Sequence, residues 1–506
     1  MGPHVVMMPI FPAGHFTPFL IFAKRLASAG VTVTIVSIDV HIAEVKLREQ
    51  AAEFLRFVEL RDGFEHLSVE LLEEWKTDAG KAKASRLLVE AVRDMSSPNA
   101  QALRGVPTVD FPVCVMHDMV TCWAQDAAEE LGVEKHMLYL SPVGTLSIGL
   151  QSERLVREGR APVTPENQDI PITDIPGLPP LQPGDLHSMY QTVESFEWAK
   201  YHEHRNRKAD VIVANSFYDL EKHVIDAIRN KVMGTPGVQT KYLLDVGPLL
   251  PQSPTPTALE EKDPCILWLN TQKPASVLYV CFGSHSTHHA PQLLELASGL
   301  EASGQPFLWI LRPPNSVHID ASALAAPIPP MTQYLPPGFE ERIKGRGMCY
   351  SSWAPQRRIL EHVSTGGFLS HCGWNSTLEG VCAGVPMLTW PFWLDQNFIS
   401  RFLVDTAKLA IEVKREPIDP EQDLGEYDRI FRRVKRSEIE KQVRRLMQEE
   451  EGRIVRENMQ NMKRNVERAV ALGGSSRTNF ESYVQLLRAK ASAAAFNGVN
   501  KLDGIA

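Results

Sequence analysis

Two long series of alternating strands and amphipathic helices, separated by one Pro- and Ser/Thr-rich stretch, constrain this chain more than any other feature. From residue 4 to about 250, short apolar runs such as His4-Val5-Val6-Met7-Met8, Val113-Cys114-Val115-Met116 and Ala209-Asp210-Val211-Ile212-Val213-Ala214 alternate with helical patterns, and the series closes with Tyr242 to Gly247. Short apolar runs bounded by turns and separated by helices are the sequence form of a parallel sheet covered on both faces, a doubly wound α/β domain. The segment Pro251-Gln252-Ser253-Pro254-Thr255-Pro256-Thr257 reads as a semi-rigid surface connection. A second series follows from Cys265 to about 470. With 506 residues and 43% hydrophobic content, the chain can bury two cores. The expected division is 1–250, a linker at 251–263, a second domain at 264–472, a helix at 473–490 and a disordered tail at 491–506.

The most informative local run is Trp353 to Gln396, WAPQRRILEHVSTGGFLSHCGWNSTLEGVCAGVPMLTWPFWLDQ. Trp353 to Gln356 reads as a turn and Gly366 to Ser370 as a short buried strand, after which His371-Cys372-Gly373 opens a helix. The start of that helix offers backbone N–H groups without intrahelical partners and the positive end of the helix dipole, with a glycine that admits close approach. A pyrophosphate fits such a place, with His371, Asn375 and Ser376 as side-chain donors. Glu379, one turn on, is an acceptor suited to ribose hydroxyls. Trp353 offers a flat face for a base, and Asp395 and Gln396 offer hydrogen bonds to sugar hydroxyls.

From its first residue to its last, this run resembles the plant secondary-product glycosyltransferase box of the UDP-sugar-dependent glycosyltransferases of small molecules. The resemblance implies that Trp353 stacks on uracil, Ala354 meets the base through its backbone, and Gln356 and Glu379 hold the ribose. It places His371, Asn375 and Ser376 at the pyrophosphate and Trp374, Asp395 and Gln396 at the sugar, with the terminal glutamine pointing to glucose over galactose. It also implies the GT-B architecture, two Rossmann-like domains facing across a cleft, with the acceptor held by the N-terminal half and UDP-glucose by the C-terminal half. A last helix near Asn479 to Arg488 would cross back to the first domain.

An acceptor-activating base should then lie near the N-terminus. Phe11 to Phe16 reads as a loop and Thr17-Pro18 as the cap and first residue of a helix, which puts His15 at the C-terminal end of the first strand. That rim is where ligands bind in parallel α/β sheets, and histidine titrates nearest neutral pH. The Pro12-Ala13-Gly14-His15-Phe16-Thr17-Pro18 pattern resembles the family's catalytic-histidine loop. Asp118, after the strand ending at Met116, is the expected partner that fixes the His15 tautomer, with Trp123 at the family's spacing. The neighbouring His117 is a competing candidate. Ser284, in the loop after the run Val277 to Cys281, is a further donor-side contact, with Thr287 as a second.

No GxGxxG follows either first strand and no GxxxxGK[ST] occurs, which disfavours dehydrogenase and P-loop readings. His285, His288 and His289 form a cluster without a companion ligand set, and no DxD pair is present, so no metal site is expected. A net charge of −8 provides no basic footprint for nucleic acid. Seven scattered cysteines without a CxxC pair, an N-terminus unlike a signal peptide and no membrane-length apolar run give the expectation of a reduced, cytoplasmic monomer without integral membrane association.

The implied reaction is an inverting transfer. His15 removes a proton from an acceptor hydroxyl as it attacks the anomeric carbon, giving a β-glucoside and UDP, with no cofactor. Phe16, Phe19, Met189, Tyr190, Phe196, Trp198 and the apolar residues of Leu146 to Leu150 are candidates to line an apolar pocket for an aromatic or terpenoid acceptor, a flavonoid foremost. The Ile175-Pro176-Gly177-Leu178-Pro179-Pro180-Leu181 segment resembles the family's acceptor-side loop. Three readings stand beside this one: transfer to an aromatic carbon, a non-catalytic UDP-sugar-binding protein, and a nucleotide-sugar epimerase. Pro313 to Pro337 and Glu416 to Arg436 read as surface insertions.

Overall fold

The computed structural model describes residues 2–10, 13–37, 54–59, 86, 88–89, 110–251, 262–284, 287–314, 331–414 and 433–502. The acceptor-loop stretch 81–99 and the two expected insertions lie largely outside these residues, as do most of the linker, Phe11, Pro12 and His285.

The described chain divides into two compact units. The first comprises Met1–Pro183, Met189–Pro251 and Arg468–Ala506, and the second Gly184–Ser188 and Gln252–Glu467. The first unit is built on seven parallel strands: β1 (His4–Met8), β2 (Thr32–Ser37), β3 (Leu55–Glu59), β4 (Cys114–Asp118), β5 (Glu134–Tyr139), β6 (Val211–Ala214) and β7 (Tyr242–Asp245). Their spatial order is β3-β2-β1-β4-β5-β6-β7. Every residue of β1 and β4 is buried, as expected of central parallel strands covered on both faces. The second unit repeats the plan with β8 (Val277–Cys281), β9 (Phe307–Ile310), β10 (Gly347–Tyr350), β11 (Thr365–Ser370), β12 (Met387–Thr389) and β13 (Ala410–Glu412), in the order β10-β9-β8-β11-β12-β13.

In each sheet the first strand pairs on one side with the second and on the other with the fourth: β1 between β2 and β4, β8 between β9 and β11. The chain therefore leaves neighbouring strands in opposite directions there, opening a crevice at their C-terminal ends. This topological switch point is where open α/β sheets bind ligands.

Helix α1 (Ala13–Ser28) starts earlier than its sequence suggests. His15 belongs to its first turn instead of a preceding loop, and Pro18 lies inside the helix instead of opening it. As the sixth residue of the helix, Pro18 has no N–H to donate to the Gly14 carbonyl four residues before it. The turn ahead of it is anchored by a side-chain bond from His15, described below. Beyond it, Phe19, Phe22, Ala23 and Leu26 form a buried stripe at helical spacing.

The last helix runs Ser475–Leu502 and replaces the expected tail after Lys490. The sequence Ala489-Lys490-Ala491-Ser492-Ala493-Ala494-Ala495 consists of strong helix formers with no breaker, so the helix continues. Phe480, Tyr483, Val484 and Leu487 join the core beneath β1 and α1. Tyr483 donates its hydroxyl to His136 Nδ1 at 2.8 Å, and its ring lies 5.8 Å from that of Phe22.

Candidate active site

In the first unit the crevice between β1 and β4 holds a proton-handling pair. His15 Nδ1–H donates to Asp118 Oδ2 at 2.8 Å, across 103 residues of sequence. The Asp118 side chain is fully buried while the His15 side chain is 29% exposed, so the acid lies behind the base. Asp118 ends β4, and its other oxygen, Oδ1, accepts the Val120 N–H at 3.0 Å. Its backbone N–H donates to Thr121 Oγ1, and that hydroxyl donates to the Met8 carbonyl at the end of β1, tying the two strand ends together. A carboxylate is an acceptor only, so the bond fixes His15 as the Nδ1–H tautomer and leaves Nε2 as the ring nitrogen that takes a proton.

His117 does not compete for this role. It is fully buried, with Nδ1–H donating to the Asp118 carbonyl and Nε2 accepting from Gln125 Nε2–H at 2.9 Å. Burial drops its pKa to about 4, so it stays neutral as a packed structural group. Trp123 is likewise a core residue, 2% exposed.

In the second unit the equivalent crevice, between β8 and β11, is shaped to receive an anion. The helix Trp374–Ala383 starts there with Gly373 at the N-cap and no side-chain cap hydrogen bond, so its start keeps its attraction for negative charge. His371 is wedged between two glycines. A Cβ on Gly283 would stand 2.6 Å from its ring, and one on Gly373 would stand 2.4 Å from its Nε2. Gly283 also has φ +76, a conformation open to glycine. These two glycines seat His371 beside Ser284, which is exposed in the turn after β8.

Gln356, Ser376 and Glu379 form one network. Gln356 Nε2 donates to Ser376 Oγ at 3.0 Å and to Glu379 Oε2 at 2.5 Å, while Tyr279 donates its hydroxyl to Gln356 Oε1. Burial raises the Glu379 pKa, against the pull of the Gln356 bond. Trp353, next to the buried Ala354, is 79% exposed, an unusual position for an indole and suited to a stacking platform.

Two of the expected sugar-side residues are buried. Trp374, 4% exposed, opens the helix Trp374–Ala383. Gln396 Oε1 accepts the Phe392 and Trp393 N–H groups at 2.9 and 3.3 Å, which leaves Nε2 to carry its remaining donors. Asn375 is half-buried in the same first turn, and Asp395 stands at the N-cap of the helix Gln396–Arg401.

Sequence reasoning missed Arg312. Its guanidinium donates to the Gly283 carbonyl at 3.0 Å and so carries positive charge to the Ser284 turn. The signal available was only a basic residue just after β9. His288 packs against Phe282, Trp390 and Phe392 at ring distances of 4.5 to 4.6 Å as a core residue.

Of the expected acceptor-lining residues, Phe19, Leu146, Ile148, Leu150, Tyr190 and Phe196 are buried in the core. The helix Val143–Leu150 is buried at every residue, and its amides at Val143 and Gly144 donate to the buried Glu221 carboxyl group. Phe16, Met189 and Trp198 remain half-buried.

An acid-backed histidine at one switch point and an anion-binding helix start at the other define a group transferase acting on a nucleotide-linked donor. Comparison with known proteins carries this to a family. Residues 251–415 match the family described as UDP-glucoronosyl and UDP-glucosyl transferase. A malvidin galactosylase of Oryza sativa subsp. indica is 33% identical, covering 94% of this chain and 96% of the relative. An (R)-mandelonitrile beta-glucosyltransferase of Prunus dulcis is 31% identical over 95% and 96%. The structure of a Phytolacca americana glycosyltransferase complexed with UDP-2fluoro-glucose and pterostilbene superposes with a TM-score of 0.77 at 27% identity, covering 96% of this chain and 100% of that one. The chain belongs to the plant UDP-glycosyltransferases: it is a GT-B enzyme that takes a UDP-sugar as donor.

Among the described residues, none of the seven cysteines is in a disulfide and no helix is long and apolar enough to cross a membrane.

Proposed function

We propose that the enzyme transfers glucose from UDP-glucose to a hydroxyl of a small aromatic acceptor, a flavonoid foremost, with inversion to a β-glucoside. The observation that carries this reading is the 2.8 Å bond from partly exposed His15 to buried Asp118. It orients a neutral imidazole whose Nε2 accepts the acceptor's proton as the oxygen attacks the anomeric carbon. Asp118 stabilises the imidazolium that results. The sugar–phosphate bond breaks on the opposite face, and UDP leaves with its negative charge. That charge is met by the start of the helix Trp374–Ala383 and by His371, Asn375, Ser376 and Ser284.

In this reading the N-terminal unit holds the acceptor and the C-terminal unit the donor. Trp353 and Ala354 take the uracil, and Gln356 and Glu379 take the ribose. Asp395, Gln396 and Trp374 take the sugar. The flavonoid preference draws support from the pigment and stilbene acceptors that the names of the relatives carry. Glucose draws support from the terminal Gln396, whereas the galactose named for the rice relative makes the donor a point to measure. The enzyme is further proposed to act as a cytoplasmic monomer.

The test is incubation with UDP-glucose and a panel of flavonoids and simple phenols, following UDP release and product mass, with His15→Ala in parallel. Glucosylated product that is lost in the variant supports both transfer and base. UDP-glucose binding without product on phenolic, terpenoid or sterol acceptors would sink the transferase mechanism in favour of a binding role. An acid-stable product would indicate attack by carbon.

A further inference from the structure

Five residues from the first half of the sequence, Gly184–Ser188, belong to the C-terminal unit. They lie along the turn that carries Asp395 and Gln396. Ser188 grips this turn twice: its N–H donates to the Leu394 carbonyl at 2.9 Å, and its Oγ accepts the Leu394 N–H at 3.1 Å. Leu394 has φ +55, a left-handed conformation that a side chain with a Cβ seldom adopts. Such a conformation persists where its surroundings enforce it, and the two Ser188 bonds bracket the strained residue. On the inner side, Gln396 Oε1 holds the amides of Phe392 and Trp393.

The rest of the segment is anchored as well. Leu186 is fully buried, and Asp185 Oδ2 lies 3.9 Å from Arg401 Nε on the helix that Asp395 starts. Between these anchors, His187 sits within electrostatic reach of the Asp395 carboxylate. Burial lowers the His187 pKa, with the Asp395 carboxylate acting in the opposite direction.

We propose that Gly184–Ser188 is a positioning strap for the donor sugar: Ser188 holds Leu394 in the left-handed turn that presents Asp395. The inference rests on the reading of Asp395 and Gln396 as sugar contacts. It makes donor-sugar choice depend on a segment that lies about two hundred residues earlier in the chain and outside the donor box.

The experiment uses the full-length enzyme and the variants Ser188→Ala and Ser188→Thr, with Asp395→Ala as reference. The measurements are kcat and KM for UDP-glucose and UDP-galactose, the Kd of UDP, and Tm. Ser188→Ala is expected to lower kcat/KM for UDP-glucose about tenfold and to shift the glucose-to-galactose ratio about threefold or more. UDP, which lacks the sugar, should bind within about twofold of wild type, and Ser188→Thr, which keeps the hydroxyl, should recover most of the loss. If Asp395→Ala is impaired while the strap variants match wild type, the strap is overturned and the sugar-site reading stands. If Asp395→Ala also matches wild type, the sugar-site reading itself fails. Equal losses for UDP and both sugars with a lowered Tm would reduce the segment to a structural prop and overturn the proposal.

Discussion

The two units place different chemistry at the same point of the same topology. Between β1 and β4 the first unit sets a histidine against a buried carboxylate, and between β8 and β11 the second sets a histidine between two glycines at the start of a helix. His15 has a buried carboxylate behind it, the arrangement proposed to let it take a proton. His371 is packed against two glycines beside a helix start, the arrangement proposed to let it donate to an anion. Sheet order supplies the crevice in both cases, and the few residues that follow each strand decide what the crevice does.

The comparison breaks most visibly at the base. His15→Ala should lower kcat by about 10³-fold or more, and Asp118→Asn, which spoils the tautomer, by about 10²-fold or more, while the Kd of UDP measured by calorimetry stays at the wild-type value. A change in UDP affinity would show that the two crevices do not divide the work as described.

Acid should destabilise the first unit through two buried histidines. His4 and His117 are buried in the first unit with pKa values lowered to about 4 by desolvation. In the unfolded chain each binds a proton near pH 6.5, so stability is present above that pH and falls as pH drops from 6.5 towards 4. The loss amounts to about 3 kcal/mol for each histidine. Denaturant unfolding at pH 7.5 and 4.5 should show it, and His117→Gln should flatten part of the slope.

In the donor crevice, Gly283→Ala or Gly373→Ala drives a methyl group into the His371 ring. KM for UDP-glucose should rise about thirtyfold, with a smaller change in Tm. The smallest effect is expected at Trp353. Because the indole is so exposed, Trp353→Ala should leave Tm unchanged and weaken UDP binding about tenfold, the worth of one stacked base. A larger stability loss than binding loss would remove Trp353 from the site.

Much of the donor half could be read from the sequence because it is local. Gln356, Ser376 and Glu379 lie within one helix–strand–helix stretch, so their meeting in one hydrogen-bond network follows from short-range structure. His15 and Asp118 were legible for another reason: Asp118 ends β4 and His15 lies in the first turn of the helix that follows β1, and adjacent parallel strands bring their C-terminal ends together. Features that depend on packing were not legible. An apolar helix such as Val143–Leu150 looks the same whether it lines a pocket or fills a core, and here it fills the core. The early start of α1 depends on a tertiary bond to Asp118 that no local propensity encodes. Arg312 and the Gly184–Ser188 strap act through contacts to backbone, which leave no motif.

The path of the chain has a consequence for modular engineering. Since the first unit regains the chain at Arg468 and buries Phe480, Tyr483 and Leu487 in its core, the stretch from Gln252 to Glu467 is threaded into it like an insert. Exchanging that insert for a relative's would appear to need only two junctions. It would nevertheless leave Ser188 of this chain facing a foreign turn, so a graft meant to change the sugar must carry residues 184–188 along with the donor module.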